Sequence, residues 1–212
     1  MRIVILIIFL ISIKIICGQS IDTINNKICI KLAPLAYLDI YSGMSPRIGI
    51  EFKVKNTFAI YNEIGTYISG SNSMQVNKGI LTKIEFKKYF NYDALTSGNY
   101  VSAELFYKHQ SFRMTDSIFV KTKYEKEYSV TKDVSCLTIK YGKLYLYKYR
   151  FIVDIFVGLG LRYKNSTSTL TSEENKHIVP VGDYHLNLFV SEAGKFFYPN
   201  FDAGVKIGYR IK

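Results

Sequence analysis

Residues Arg150–Lys164 read RFIVDIFVGLGLRYK, and this stretch decides the fold. Phe151, Val153, Ile155, Val157, Leu159, Leu161 and Tyr163 share one face of an extended strand. Asp154, Gly158, Gly160, Arg162 and Lys164 share the other, with Ile152 and Phe156 as apolar exceptions. The period of two holds for about fourteen residues. A globular strand averages about five or six residues, whereas a tilted strand crossing a bilayer needs roughly nine to eleven. One wholly apolar face against one of charge and glycine predicts lipid outside and a packed polar lumen inside.

Working outward, the same alternation recurs. It predicts strands over Asn26–Pro34, Arg47–Lys55, Thr57–Ile68, Lys78–Phe90, Asn99–Phe112, Tyr128–Tyr141, Arg150–Lys164 and Asn200–Lys212. Arg47–Lys55 (RIGIEFKVK) is the cleanest, with Ile48, Ile50, Phe52 and Val54 outward. Asn62 is a polar defect on an otherwise apolar face. Lys55-Asn56 reads as a tight turn, Arg113–Glu127 as a charged loop whose flanks extend the strands, Gly142–Tyr149 as a connection, and Asn165–Lys195 as a long connection in which Tyr184–Val190 extends a strand. Connections after the odd strands run roughly ten, nine, fifteen and thirty residues, and after the even ones roughly two, eight and eight. Long loops on one rim and short turns on the other, with an even strand number, predict an all-β fold: an eight-stranded antiparallel up-and-down transmembrane β-barrel.

The N-terminus, MRIVILIIFLISIKIICGQS, carries a short basic start and an apolar run interrupted at Lys14. It reads as a signal peptide over 1–18, leaving one barrel domain over 19–212. Of the formal charge of +11, Arg2 and Lys14 belong to that leader, which leaves +9. On an exported chain this charge argues for loop tips, lumen and lipid head groups rather than nucleic acid. Eighteen Tyr and fourteen Phe without Trp suit strands and an interfacial aromatic belt, for which Tyr89–Phe90–Tyr92, Tyr147–Tyr149–Phe151 and Phe196–Phe197–Tyr198 are the clusters. Cys29 and Cys136 fall on strands that are not neighbours, too far apart for a disulfide.

A soluble lipid-binding barrel of lipocalin type also alternates, with its apolar face turned inward. Export and the mixed signs of the polar face favour lipid outside. Glu51, Lys53, Glu63, Lys83, Glu85, Glu104, Asp154, Arg162, Asp202, Lys206 and Arg210 are expected to form an interior polar network in which charges pair across strands. FIVDIFVGLGLRYK, the terminal YPNFDAGVKIGYRIK and the early KLAPLAYLDIYSGMSPRIGIEF resemble the small, mostly uncharacterised outer-membrane barrel proteins of Bacteroidetes. The resemblance implies the fold and an outer-membrane location and gives no activity; outer-membrane lipid, lipopolysaccharide and the barrel assembly machinery are the expected partners. One departure is the terminus, where the apolar series stops at Ile211 and Lys212 follows.

The chemistry-bearing motifs are few. HExxH, CxxC, P-loop and GxSxG are absent, and no cofactor, metal or catalytic residue is expected. His177 beside Glu173 and Glu174 reads as a solvated loop histidine rather than a metal ligand. His109 and Ser111, two apart, share a face, and outer-membrane lipid A deacylases carry such a His-x-Ser pair on the lipid-facing surface. Glu125 or Glu127 is the candidate carboxylate to orient the histidine. The primary reading is a non-enzymatic barrel with surface loops in a structural or contact role. A lipid A-modifying hydrolase is the alternative.

Overall fold

The computed structural model describes residues 28–38, 45–67, 74–90, 94–120, 122–179 and 193–211. The expected signal peptide over 1–18, Tyr92, Tyr184–Val190 and Lys212 lie outside the described residues. The strands are β1 (Ile28–Leu32), β2 (Arg47–Lys55), β3 (Phe58–Tyr67), β4 (Met74–Tyr89), β5 (Gly98–Phe119), β6 (Lys123–Tyr147), β7 (Phe151–Ser168), β8 (Ile178–Val179) and β9 (Gly194–Arg210). A 3-10 turn covers Pro34–Leu38 and a short helix, α1, covers Ser172–Lys176.

Eight of these strands close a ring. Each is antiparallel to its neighbours, β9 pairs with both β7 and β1, and β4–β5 completes the circuit. β8 adds two residues to the outer part of β5. The fold is an all-β, antiparallel, up-and-down barrel, and closure gives each of the eight strands a partner on both sides over at least part of its length.

Faces follow the alternation in the sequence. On β7 the odd residues from Phe151 to Leu161 point outward and the even ones from Ile152 to Gly158 are buried. Leu159 and Leu161 are 68% and 67% exposed, whereas Lys31, Glu51 and Asp154 are each 0% exposed. Two cross-strand aromatic pairs bound the outward apolar band: Phe151 with Tyr209 at 5.5 Å between ring centroids, and Tyr163 with Phe197 at 4.9 Å. Tyr163 lies twelve positions after Phe151. At ~3.4 Å per residue and a tilt of ~40°, that is roughly 30 Å along the barrel axis.

Three connections differ from the sequence expectation. In Arg113–Glu127 the strands take up far more than the flanks: β5 runs to Phe119 and β6 starts at Lys123, which pairs with it. Gly142–Tyr149 is mostly strand, because β6 continues to Tyr147 and turns at Lys148 and Tyr149, both with positive φ. β9 begins at Gly194, six residues before the expected start. In each case a ladder partner already in register carries the pairing through residues whose composition reads as loop.

The inner mouth, on the short-turn side, is closed by an apolar stopper. The turn after β4 tucks Ala94 and Leu95 against Cys29, Ala59, Leu144 and Ile152. Leu95 holds φ +64°, a left-handed conformation costly for a leucine, and its burial there offsets the strain. This accounts for Ile152, one of the two apolar exceptions on the inward face of β7.

Candidate functional site

The lumen is the densest arrangement of chemistry in the molecule, and it is built by parity. Every second residue of β1, β2, β3, β4, β5, β6, β7 and β9 faces the axis, and eight strands leave an interior just wide enough for side chains to fill. At the inner level Asp154 Oδ2 accepts from Lys31 Nζ at 2.6 Å and Lys87 Nζ at 2.7 Å, while Oδ1 accepts from the Tyr100 hydroxyl at 2.6 Å. Glu51 pairs with Lys31 and with Lys87 (3.0 Å) and accepts from the Tyr89 hydroxyl. Glu85 takes Lys206 Nζ at 2.9 Å and the Ser102 hydroxyl at 2.6 Å.

At the next level outward, Lys140 Nζ bridges Glu104 and Asp202, each at 2.6 Å. Lys83 lies 3.5 Å from Glu104, 3.7 Å from Asp202 and 4.0 Å from Glu63. Phe156, the other apolar exception of β7, lies 4.3 Å below the Lys140 ammonium and 4.8 Å from that of Lys206. An aromatic face there stabilises desolvated cations.

Of the residues expected inside, Glu51, Glu63, Lys83, Glu85, Glu104, Asp154, Asp202 and Lys206 sit in this network. Arg162 lies further out, exposed, donating to Asn200 Oδ1 at 2.6 Å. Lys53 and Arg210 are half-buried at the inner rim, Lys53 beside the register shift that separates it from Lys55. Lys31, Lys87 and Lys140 complete the network, as do Tyr61, Tyr89 and Tyr100. Tyr89 is not part of the aromatic belt expected from the sequence. It shares parity with Glu85 and Lys87 and is 1% exposed. Phe196 and Tyr198 likewise fall on the inward parity of β9, stacked at 5.9 Å, and only Phe197 of that cluster joins the belt.

The network holds five ammonium groups (Lys31, Lys83, Lys87, Lys140, Lys206) and six carboxylates (Glu51, Glu63, Glu85, Glu104, Asp154, Asp202), a balance of −1. The chain's +11 is therefore carried elsewhere. Among the described residues the lumen is lined by buried ions, so the lipocalin-type alternative is set aside: its apolar face would have to line the lumen.

A second arrangement lies on the outside. His109 on β5 faces Asp133 on β6 in register, with Nδ1 2.9 Å from Asp133 Oδ1. The Tyr107 hydroxyl donates to the same oxygen at 2.7 Å. Ser111 lies two residues along the same face. Glu125 and Glu127, the expected orienting carboxylates, are opposite Ser117 and Thr115, too far out to reach His109. The sequence separation of Asp133 hid it, and only the β5–β6 register brings it to the histidine.

His177 closes α1: its backbone N–H and Nδ1 meet the carbonyls of Glu174 and Glu173. Among the described residues, no group of three or more His, Cys, Asp or Glu side chains converges to hold a metal ion.

No family model matches the chain. No curated protein matches it either. Among solved structures, the crystal structure of the N-terminal β-barrel domain of Pseudomonas aeruginosa OprF is similar at 14% identity, over 88% of this chain and 96% of that one, with a TM-score of 0.41. A likeness that distant carries no argument, and the fold stands on the strand register itself.

Proposed function

We propose that this chain is an outer-membrane β-barrel without catalytic activity, whose lumen is filled by ion pairs and whose outer hairpin and loops make contacts at the cell surface. One observation carries the reading: polarity is inverted, with carboxylates and lysines sealed inside and Leu, Ile, Val and Phe spread over the outer wall between two aromatic pairs. Soluble monomers rarely expose an apolar patch of more than a few hundred Å², and a bilayer turns that surface into a favourable one. The resemblance to small outer-membrane barrels of Bacteroidetes supports the same location. Lipid and lipopolysaccharide then cover the belt, and the barrel assembly machinery inserts it.

Sucrose-gradient separation of the envelope is the test of location, with the protein expected among the lipopolysaccharide-rich fractions. Planar-bilayer recording tests the filled lumen. The expected result is no steady conductance, and an open pore of porin size contradicts it.

A second reading is favoured by the His109–Asp133 contact. A carboxylate on Nδ1 orients a histidine whose Nε2 takes the proton of a nearby serine as its oxygen attacks an acyl ester. In that reading Ser111 is the nucleophile and lipid A, in the same leaflet, the substrate class. Mass spectrometry of lipid A from cells producing the native chain, Ser111→Ala or His109→Ala decides it. Identical acylation in all three ends the hydrolase reading.

A further inference from the structure

The barrel wall changes character at its first strand. Pro34 has no N–H to give to a ladder, and β1 stops at Leu32 as the chain enters the 3-10 turn. Among the described residues β1 meets β9 only at Ile207–Arg210, whereas β7 accompanies β9 from Gly194 to Tyr209. From Ala203 to Lys206, β9 faces the 3-10 turn, with a cavity of about 190 Å³ between them. Val205 is paired with Ile155, between the two aromatic pairs, so this seam lies within the apolar band. Backbone that departs from pairing at membrane depth is tolerated where it lines a polar cavity.

The cavity joins two environments. Leu35, 49% exposed, and Val205 form its outer lip. Arg47, Glu63, Lys83 and Asp202 form its inner wall. Two of these have incomplete hydrogen bonding. Glu63 is 2% exposed; its Oε2 accepts from the Tyr61 hydroxyl, but Oε1 accepts no hydrogen bond and has only the Lys83 ammonium at 4.0 Å. Lys83 is 6% exposed, with its three carboxylates at 3.5–4.0 Å rather than in contact. Arg47 adds a half-buried guanidinium whose Nε donates to Ser45 Oγ at 3.0 Å. A buried acceptor and a buried donor left short in one cavity call for a guest that supplies both.

We propose that the β1–β9 seam binds the head group of a single-chain amphiphile that joins an anion to an ammonium, phosphoethanolamine being the type. The anion meets Arg47 and Lys83, the ammonium donates to Glu63 Oε1, and the acyl chain leaves between Leu35 and Val205 into the bilayer. The cavity, about 190 Å³, suits one such head group, with the acyl chain lying outside it between Leu35 and Val205. This site rests on the membrane reading.

The native chain has no tryptophan, so Leu35→Trp at the seam and Leu105→Trp across the barrel on β5 each give a single reporter. Each full-length variant is titrated in detergent micelles with a single-chain phosphoethanolamine lipid brominated on its acyl chain. Quenching at the seam is expected to saturate, and its half-saturation to rise about tenfold with Arg47→Ala or Glu63→Gln as a second change. Quenching at the far wall is expected to grow linearly with brominated lipid. A seam that responds as linearly as the far wall holds only water, and the proposal is overturned. Saturation indifferent to both second changes overturns it as well. A far-wall reporter that meets no quencher sinks the membrane reading instead. Faster migration of unboiled samples on a gel, kept in every variant, shows that the barrel has formed.

Discussion

Asp154 is the residue on which the inner lumen turns, since two ammonium groups and one hydroxyl converge on its carboxylate. Removing one partner of a buried ion cluster leaves the others uncompensated, at a cost of about 3–5 kcal/mol. Asp154→Ala is therefore predicted to lower the stability of the barrel by that amount in urea unfolding from lipid vesicles, and an unchanged midpoint counts against it. Tyr100 reaches Asp154 because Gly142 lies beneath its ring. A Cβ at Gly142 would meet the Tyr100 ring at 2.3 Å. Gly142→Ala is predicted to cost about 1–3 kcal/mol. It should be less than additive with Tyr100→Phe, since both break the same Tyr100–Asp154 bond. Full additivity in the double-mutant cycle would show that the glycine does not serve that bond. At this scale parity made Glu51, Lys83, Glu85 and Asp154 legible as inward. The tyrosines were not, because a tyrosine suits a girdle and a carboxylate partner equally well, and only burial separates the two.

At the scale of elements, the β5–β6 hairpin stands out. Its strands span 22 and 25 residues, beyond what the apolar band requires. The projecting part has its own small core of Phe112, Ile118, Tyr128, Val130 and Leu170, with Ile178 packed against it. Composition hid this element. Arg113–Glu127 is rich in charge, and the apolar residues that cover its inner face arrive from Leu170 and Ile178, fifty residues on. α1 is fastened to the hairpin by Glu174, which accepts from Lys126 Nζ at 2.6 Å and the Tyr124 hydroxyl at 3.0 Å and closes a capping box with Thr171. The Lys126 hydrogen bond, followed by those from Thr171 and Tyr124, holds the Glu174 carboxyl down to about 2, from 4.5. A depressed carboxylate contributes its stabilisation above the ordinary value and loses it as pH falls through the depressed one. The docking of α1 is thus predicted to be constant from neutral pH to about 4.5 and to weaken between 4.5 and 2. Pepsin cleavage within 171–179, normalised to an unstructured peptide, should rise over that window, and Glu174→Gln should abolish the pH dependence. A flat profile in the native chain would remove Glu174 from this role.

For the whole molecule, alternation carried the architecture: eight strands, antiparallel neighbours and closure of β9 on β1 follow from a period of two repeated along the chain. The rims were less legible, because turn length depends on where two strands cease to pair, and register is a property of two segments together. The short β1 is the clearest case. Asn26–Pro34 reads as strand, yet β1 ends at Leu32 and a 3-10 turn begins at Pro34; the consequence, a seam with a cavity behind it, appears only once β9 lies alongside. The central claim is that this barrel wears its apolar face outward in a membrane. Envelopes carrying the native chain, pelleted, extracted in detergent and run on a gel both boiled and unboiled, test it most directly. The account predicts a membrane pellet and an unboiled band that migrates faster than the boiled one. A protein found in the soluble fraction, with a single band whether boiled or not, would contradict it.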